Sequence, residues 1–265
     1  MPTTRTTLAT LDAAARADAF GVVYQGYTLQ IHMNAAQLEA HIAANDVDPA
    51  SSPLWLDHAG HVMGLGLVAR RGPRAWIGGF GIAPAWRGRG LALGLVEACL
   101  AHARAADISG VGAREIELEV LAGNDRAIRS YERAGFRQTA ELASFAGAIA
   151  PDDRGAGPRD AAALLRRSLA MTCWQRAPQS LAHMPGLEAV ALDDDTFLLF
   201  TRVEGAVAIR HLAAARADEI ARLLAATGGR TARLINEPAG SPVATGLAAL
   251  GFEVFIRQHQ MRMTL

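Results

Sequence analysis

The sequence predicts an α/β (α+β) chain built twice over. Segments with helical spacing of apolar residues alternate with short strand-like segments, and one order of elements recurs. A strand that ends near an asparagine, then a helix, then Gly-Phe opening another strand, occurs at residues 118–136 and again at 233–252. At 265 residues the chain is too long for one small domain and suits two. The expected division is a first domain over 1–145, a linker over 146–160 rich in Gly and Pro, and a second domain over 161–265.

Each element has its own signal. An Ala-rich stretch over 8–19 reads as a first helix, and Asn34 followed by Gln37 is a capping box opening a second over 35–44. Leu54-Trp55-Leu56, the turn Asp57-His58-Ala59-Gly60 and residues 62–69 form a hairpin. The reversal Arg71-Gly72-Pro73-Arg74 leads to a strand over 75–82, ended by Pro84, which has no N–H for the ladder. A helix opens at 88–90 and reaches about 106, with Leu91, Leu95, Cys99 and Ala103 on one face. Residues 115–121 alternate and place Ile116, Leu118 and Val120 on one strand face. A helix over 125–134 ends at Gly135, a left-handed cap, and Phe136 begins a strand to about 145. The second unit reads as a helix near 161–169, strands near 187–192 and 196–203, a helix over 217–226, a strand near 232–235, a helix near 243–250 and a last strand after Gly251-Phe252.

Composition narrows the function. The 26 basic and 26 acidic residues balance, so bulk charge favours neither nucleic acid nor an anionic membrane, and no such partner is expected. No apolar run reaches the roughly 18 residues of a membrane span, and the N-terminus lacks a signal-peptide core. The expected location is the cytoplasm, where Cys99 and Cys173 are reduced, buried thiols. No metal is expected. Every basic residue is arginine, which with the high alanine content suggests GC-rich bacterial coding.

The segment Arg87-Gly88-Arg89-Gly90-Leu91-Ala92 carries the first chemical signal. A glycine-rich loop between strand and helix aims unpaired N–H groups at one point, in line with the helix dipole, and flanking arginines add charge-assisted donors. The segment suits an anion site, with a Gly-rich turn that merely starts a helix as the plainer reading. The spacing Gly88-x-Gly90-x-x-x-Gly94 also resembles a dinucleotide fingerprint, but hairpin segments precede it where that fold has its first parallel strand.

The segment from Leu118 to Phe136, with Asn124, Tyr131 and Gly135-Phe136, closely resembles the acetyl-CoA-contacting half of the GCN5-related N-acetyltransferase (GNAT) family. The loop from Ile82 to Ala92 resembles the family's pyrophosphate loop at the family's spacing. The resemblance is specific over about 60 residues. It implies a mixed, splayed central sheet flanked by helices, and acetyl-CoA as co-substrate with no metal. Backbone groups at Gly81, Ile82 and Ala83 would pair with the pantetheine arm. The pyrophosphate would lie on Arg87, Gly88, Arg89, Gly90, Leu91 and Ala92, and Asn124 would hydrogen-bond the arm while also suiting a helix cap. Tyr131 matches the tyrosine that protonates the departing thiolate, with an amphipathic core residue as the plainer reading.

The base is less clearly marked. Glu119 matches a position used as base in some relatives, yet Glu115, Glu117 and Glu119 alternate like a solvated strand face. A base acting through ordered water, His58 and His61 stay open. Gly78, Gly79 and Gly81 within one strand suggest a bulge or room for substrate beside the thioester.

The second unit reads as a degenerate GNAT-like copy. Residues 208–216 stand where the loop should be and contain no glycine, and Leu247 stands at the place of Tyr131. Trp174-Gln175-Arg176 and Asn236-Glu237-Pro238 suit either substrate contact or packing. The expected activity is acetyl transfer to a primary amine of a small metabolite or amino-acid-like acceptor. Protein acetylation and non-catalytic acetyl-CoA sensing are the other readings. The chain is expected to be a monomer, its second copy replacing a partner subunit, or a homodimer.

Overall fold

The computed structural model describes residues 3–27, 31–105, 112–152, 154–166 and 173–265. Two compact units emerge: Met1–Thr139 together with Gln260–Leu265, and Ala140–His259. Among the described residues no helix is long and apolar enough to cross a membrane, and no group of three or more His, Cys, Asp or Glu side chains is placed to hold a metal.

In the first unit a short strand, β1 (Thr4–Thr7), comes first, and a 3-10 turn (Leu8–Thr10) occupies the start of the stretch expected as helix. The helix itself, α1 (Ala13–Tyr24), begins where the Asp12 carboxylate accepts from Ala15 N at 2.8 Å, and runs five residues past its expected end at residue 19. The α2 helix (Ala35–Ala44) has the expected capping box: Asn34 accepts from Gln37 N at 2.9 Å and Gln37 accepts from Asn34 N at 3.0 Å. Strands β2 (Pro53–Leu56), β3 (Val62–Arg71) and β4 (Arg74–Ile82) form an antiparallel meander. The crossover helix α3 (Leu91–Arg104) brings β5 (Glu115–Leu121) parallel to β4.

Leu95, Val96, Cys99, Leu100 and Ala103 of α3 are buried, most of them in one core with Ile116, Leu118, Val120 and Phe136. The opposite face of β5 is not simply solvated. Glu117 is 1% exposed and pairs with Arg74 at 2.9 Å and Arg262 at 3.1 Å.

After α4 (Asp125–Ala134), Gly135 takes the left-handed conformation (φ 107°) expected of it. The next strand, β6 (Arg137–Ala148), contributes residues 140–148 to the second unit. Residues 260–264 of the chain's last strand, β12 (Glu253–Thr264), complete the first sheet beside β5, and Leu265 N donates to Arg114 O at 2.9 Å.

The second unit contains β7 (Gly157–Pro158), α5 (Ala161–Leu165), α6 (Pro178–Ala182), β8 (Glu188–Ala191) and β9 (Phe197–Val203). There follow β10 (Ala206–Ala213), α7 (Ala217–Ala226), β11 (Thr231–Pro238) and α8 (Pro242–Ala249). Residues 167–169 of the helix expected over 161–169 lie outside the described residues. Its sheet runs β6-β11-β10-β9-β8-β7. Several points differ from expectation: the α6 helix was not foreseen, and residues 260–265, expected in a second domain over 161–265, belong to the first unit. Residues 146–148 end β6 and residues 157–158 form β7, both within the stretch read as linker. Residues 206–213 are a strand rather than part of a loop, turned from β9 at Glu204 and Gly205, both at positive φ.

Candidate active site

The site begins as a parting of two strands. β4 and β5 pair only from Arg74↔Glu115 to Ile77↔Leu118. β4 then stays with β3 as far as Ile82↔Gly64, and a bulge between Leu67 and Val68 leaves Gly78 unmatched. From there the other edge of β4 is open. Ala83 N donates to Met63 O at 2.9 Å, so the alternation of the ladder turns the polar groups of Gly81 and Ala83 toward β3. Those of Phe80 and Ile82 face the gap. Phe80 N donates to Tyr24 Oη at 3.2 Å, and Ile82 O accepts from Arg87 Nε at 2.9 Å.

The three glycines of β4 serve packing. The Trp76 ring lies across Gly78; a Cβ at Gly79 would meet Leu67 at 3.0 Å and Phe20 at 3.3 Å, and one at Gly81 would meet Val23 at 2.9 Å. Of the two readings open for these glycines, the bulge is present, and the room for substrate is filled by Trp76 and α1.

Beyond a 3-10 turn (Pro84–Trp86), Gly88 and Gly90 both adopt φ 77°, where a side chain is strained. Gly90 is the N-cap of α3, with no side-chain cap and no acidic residue in the first turn. The first amides of α3 therefore have no partner from the helix. The flanking arginines are engaged elsewhere. Arg87 donates to Ile82 O, to Val23 O at 3.1 Å and to Gln25 O at 2.7 Å, tying the end of α1 to the end of β4. Arg89 stacks its guanidinium 4.8 Å from the centre of the Trp86 ring.

A cavity of about 480 Å3 lies between the β4–α3 connection and α4. Gly81, Ile82, Arg87, Gly88, Gly90, Leu91 and Ala92 line one side, and Asn124 and Tyr131 the other. Ala83 and Arg89, expected at the same site, are not part of the lining. Conversely α1 contributes Val23 and Tyr24, and Tyr27 follows just after it; sequence reasoning missed all three by ending that helix at residue 19. Their signal was two tyrosines one helical turn apart.

Asn124 caps its helix, the plainer of the two roles open to it, and gives its amide to a tyrosine. Its Oδ1 accepts from Ala127 N at 3.3 Å, capping α4, and its Nδ2 donates to Tyr27 Oη at 3.2 Å. Tyr131 is buried, edge-on to Phe80 at 5.7 Å and to Phe136 at 5.8 Å. Burial first, then the neighbouring Tyr24, Tyr27 and Cys99, hold its hydroxyl well above the usual phenol range. It keeps its proton at neutral pH and can donate it.

Glu119 stands apart from this cavity. Its Oε2 accepts from Trp76 Nε1 at 2.7 Å, and its Oε1 is buried without a hydrogen-bond partner among the described residues. Burial pushes its carboxyl up to about 7, against the Trp76 hydrogen bond and with help from nearby Glu117. His41 of α2 packs against the same Trp76, ring centres 6.1 Å apart, and burial lowers it to about 4. His58 and His61 are exposed at the hairpin turn, where His61 pairs with Asp57 at 3.2 Å; neither lines the cavity.

The second unit has the same parting of strands with different contents. β10 and β11 pair only over Val207–Ile209 and Ala232–Leu234. Into the divergence beyond, Arg176 donates Nε to Arg210 O at 3.0 Å and Nη1 to Ile235 O at 3.4 Å, Asn236 O at 3.3 Å and Glu237 Oε2 at 2.6 Å. Arg176 and Glu237 are each 3% exposed, so the Trp174–Arg176 and Asn236–Glu237 segments, for which substrate contact and packing were both open, are packing elements. At the start of α7 the Glu219 Oε2 accepts from Ala215 N and Arg216 N, both at 3.1 Å. Leu247 occupies the place of Tyr131: Phe252 N donates to Leu247 O, and Phe136 N to Tyr131 O, each at 3.0 Å.

Residues 19–136 match the profile of the Acetyltransferase (GNAT) family. Among solved structures, a GCN5-related N-acetyltransferase from Sphaerobacter thermophilus is similar with a TM-score of 0.69 at 16% identity, over 99% of this chain and 95% of that one. A tandem GNAT protein from the clavulanic acid biosynthesis pathway is similar with a TM-score of 0.65 at 13% identity, over 99% and 98%. A GCN5-related N-acetyltransferase from Kribbella flavida gives 0.60 at 17% identity, over 99% and 72%. At these identities the likeness shows the fold. No curated protein matches the chain.

Proposed function

From the premise that residues 19–136 belong to the GNAT acetyltransferase family, we propose that the chain transfers the acetyl group of acetyl-CoA to a primary amine of a small metabolite or amino-acid-like acceptor. One observation carries the reading: a single cavity joins the open edge of β4, the uncapped start of α3 and the buried Tyr131 hydroxyl. These residues fit acetyl-CoA. The remaining edge groups, Phe80 O and Ile82 N, suit the amides of a pantetheine arm, as a strand suits its neighbour; Phe80 N and Ile82 O are held by Tyr24 and Arg87. The amides from Gly88 to Ala92 suit a pyrophosphate, and left-handed Gly88 and Gly90 keep side chains out of its way.

When bound, the thioester supplies the acetyl group and a thiol leaving group. Tyr131 donates its proton to the departing sulfur as the amine nitrogen forms its bond to the carbonyl carbon. Glu119, titrating near neutrality, takes the proton released by the amine through ordered water, since it does not line the cavity itself.

Thiol release from acetyl-CoA, followed across a panel of small amines and peptides, tests this. We expect turnover on a small amine, falling about 10²–10⁴-fold in Tyr131→Phe, with acetyl-CoA binding retained. Tight binding of acetyl-CoA without turnover on any amine or peptide would overturn transfer in favour of sensing. Turnover on peptides alone would overturn the acceptor class.

A further inference from the structure

Tyr131 shares the cavity with a second phenol from another helix. Tyr24, the last residue of α1, lines it as well. The Tyr24 ring packs 4.5 Å from Phe20, centre to centre, and edge-on to Tyr27 at 5.5 Å. Docking of α1 on Gly79 and Gly81, where a Cβ would meet Phe20 and Val23, fixes where that ring stands. Burial first, then the Tyr24 hydroxyl, hold up the hydroxyl of Tyr131, so the two phenols are close neighbours.

A bond to β4 decides what the Tyr24 hydroxyl can do. Phe80 N, on the open edge of the strand, donates to Tyr24 Oη at 3.2 Å. A phenol that accepts from an amide keeps its own proton to donate, and the accepted bond polarises it into a stronger donor. Among the described residues nothing accepts that proton. Burial pushes the hydroxyl up to about 12, against the Phe80 hydrogen bond, so it stays protonated at neutral pH. A donor with an amide behind it and no acceptor before it suits an acceptor that arrives with the ligand.

Resting on the acetyl-transfer reading, we infer that Tyr24 is a second catalytic residue. Its hydroxyl donates to the carbonyl oxygen of the thioester and stabilises the negative charge that gathers there as the amine adds. That oxygen is two bonds from the sulfur that Tyr131 serves, so a donor beside Tyr131 is within its reach. The nitrogen–carbon bond forms, the carbon–sulfur bond breaks, and Tyr131 supplies the proton to sulfur while Tyr24 keeps its own. A preorganised donor aimed at developing charge acts most strongly where water is excluded. The open edge of β4 is thereby divided. Phe80 N acts on the reacting carbonyl through Tyr24, and Phe80 O and Ile82 N remain for the arm.

Tyr24→Phe keeps the ring and removes the hydroxyl. On the amine that wild type acetylates best, kcat should fall about 10²-fold, with the calorimetric Kd for acetyl-CoA unchanged. The freed Phe80 N does not take over, because it lies 3.2 Å behind the lost oxygen. The infrared stretch of an isotope-labelled thioester carbonyl gives a readout that packing alone does not move. On binding to wild type it should fall below its value in water, and in Tyr24→Phe the fall should be lost. An unchanged kcat in the folded variant would overturn the proposal, and a lowered KM for acetyl-CoA beside it would make Tyr24 a stand-in for a carbonyl of the arm. Should the variant not fold, wild type decides: a carbonyl band that does not fall on binding overturns the proposal. Wild type that binds no acetyl-CoA, or binds it without turnover, would instead remove the acetyl-transfer reading beneath it.

Discussion

In the first unit β4 and β5 part after Ile77 and Leu118, and the exposed edge borders a cavity. In the second, β10 and β11 part after Ile209 and Leu234, and the chain's own side chains occupy the divergence. Parted strands leave N–H and C=O groups that must find partners. The second unit supplies them internally: the Arg176 guanidinium bridges carbonyls of both strands, and the Glu219 carboxylate sits on the amides that open α7. The corresponding amides at the start of α3 have no carboxylate. One scaffold can therefore be a binding site or a closed structural unit, according to whether its own residues stand where a ligand's amides and phosphates would.

Three changes would break or sharpen this contrast. The largest effect belongs to Arg176→Met, which leaves the Glu237 carboxylate buried without its cation and should destabilise the fold by about 3–5 kcal/mol in urea unfolding. Adding Glu237→Leu should recover most of that loss. A change below about 1 kcal/mol in the single variant would mean that the ion pair does not hold the strands.

Next comes Gly90→Val. A β-branched residue at φ 77° carries roughly 1–3 kcal/mol of strain, so the KM for acetyl-CoA should rise about tenfold. The counterpart Arg216→Val, at φ −119°, should leave that KM unchanged, and equal effects would remove the distinction between the two helix starts.

The smallest effect is a change in pH profile. Only the ionised Glu119 accepts a proton, so wild-type kcat/KM should climb as pH rises through about 7 and then level off. Stability runs the other way. Folded Glu119 holds its proton up to about 7 while the unfolded chain releases it near the ordinary glutamate value of 4.5, so this residue's contribution declines across that interval as pH rises. Glu119→Gln should flatten both curves. An unaltered rate profile would place the base elsewhere.

Much of the fold was legible because its signals are local. The Asn34–Gln37 box, the hairpin turn at Asp57–Gly60 and the Gly135 cap are each settled by residues a few positions apart. α1 was cut short because its apolar residues surround the helix and give no amphipathic contrast. Its reach to Tyr24 depends on docking against Gly79 and Gly81, far away in sequence. β10 shows its period in burial, with Val207, Ile209 and His211 inward, but in sequence its small alanines between them blur the strand alternation.

By itself the sequence determined the repeated order of elements, the left-handed cap at Gly135, and the placing of Asn124 at the start of the helix that carries Tyr131. Backbone conformation and helical spacing follow from neighbours along the chain. Only the tertiary structure decided where the charges went. It gave Arg87 to carbonyls, Arg89 to an indole and Arg176 to the strand gap, turned Gly81 and Ala83 toward β3, and raised Glu119 toward neutrality beside Trp76. A side chain's partners and its protonation are set by burial and by residues distant in sequence, and those meet only when the chain has folded.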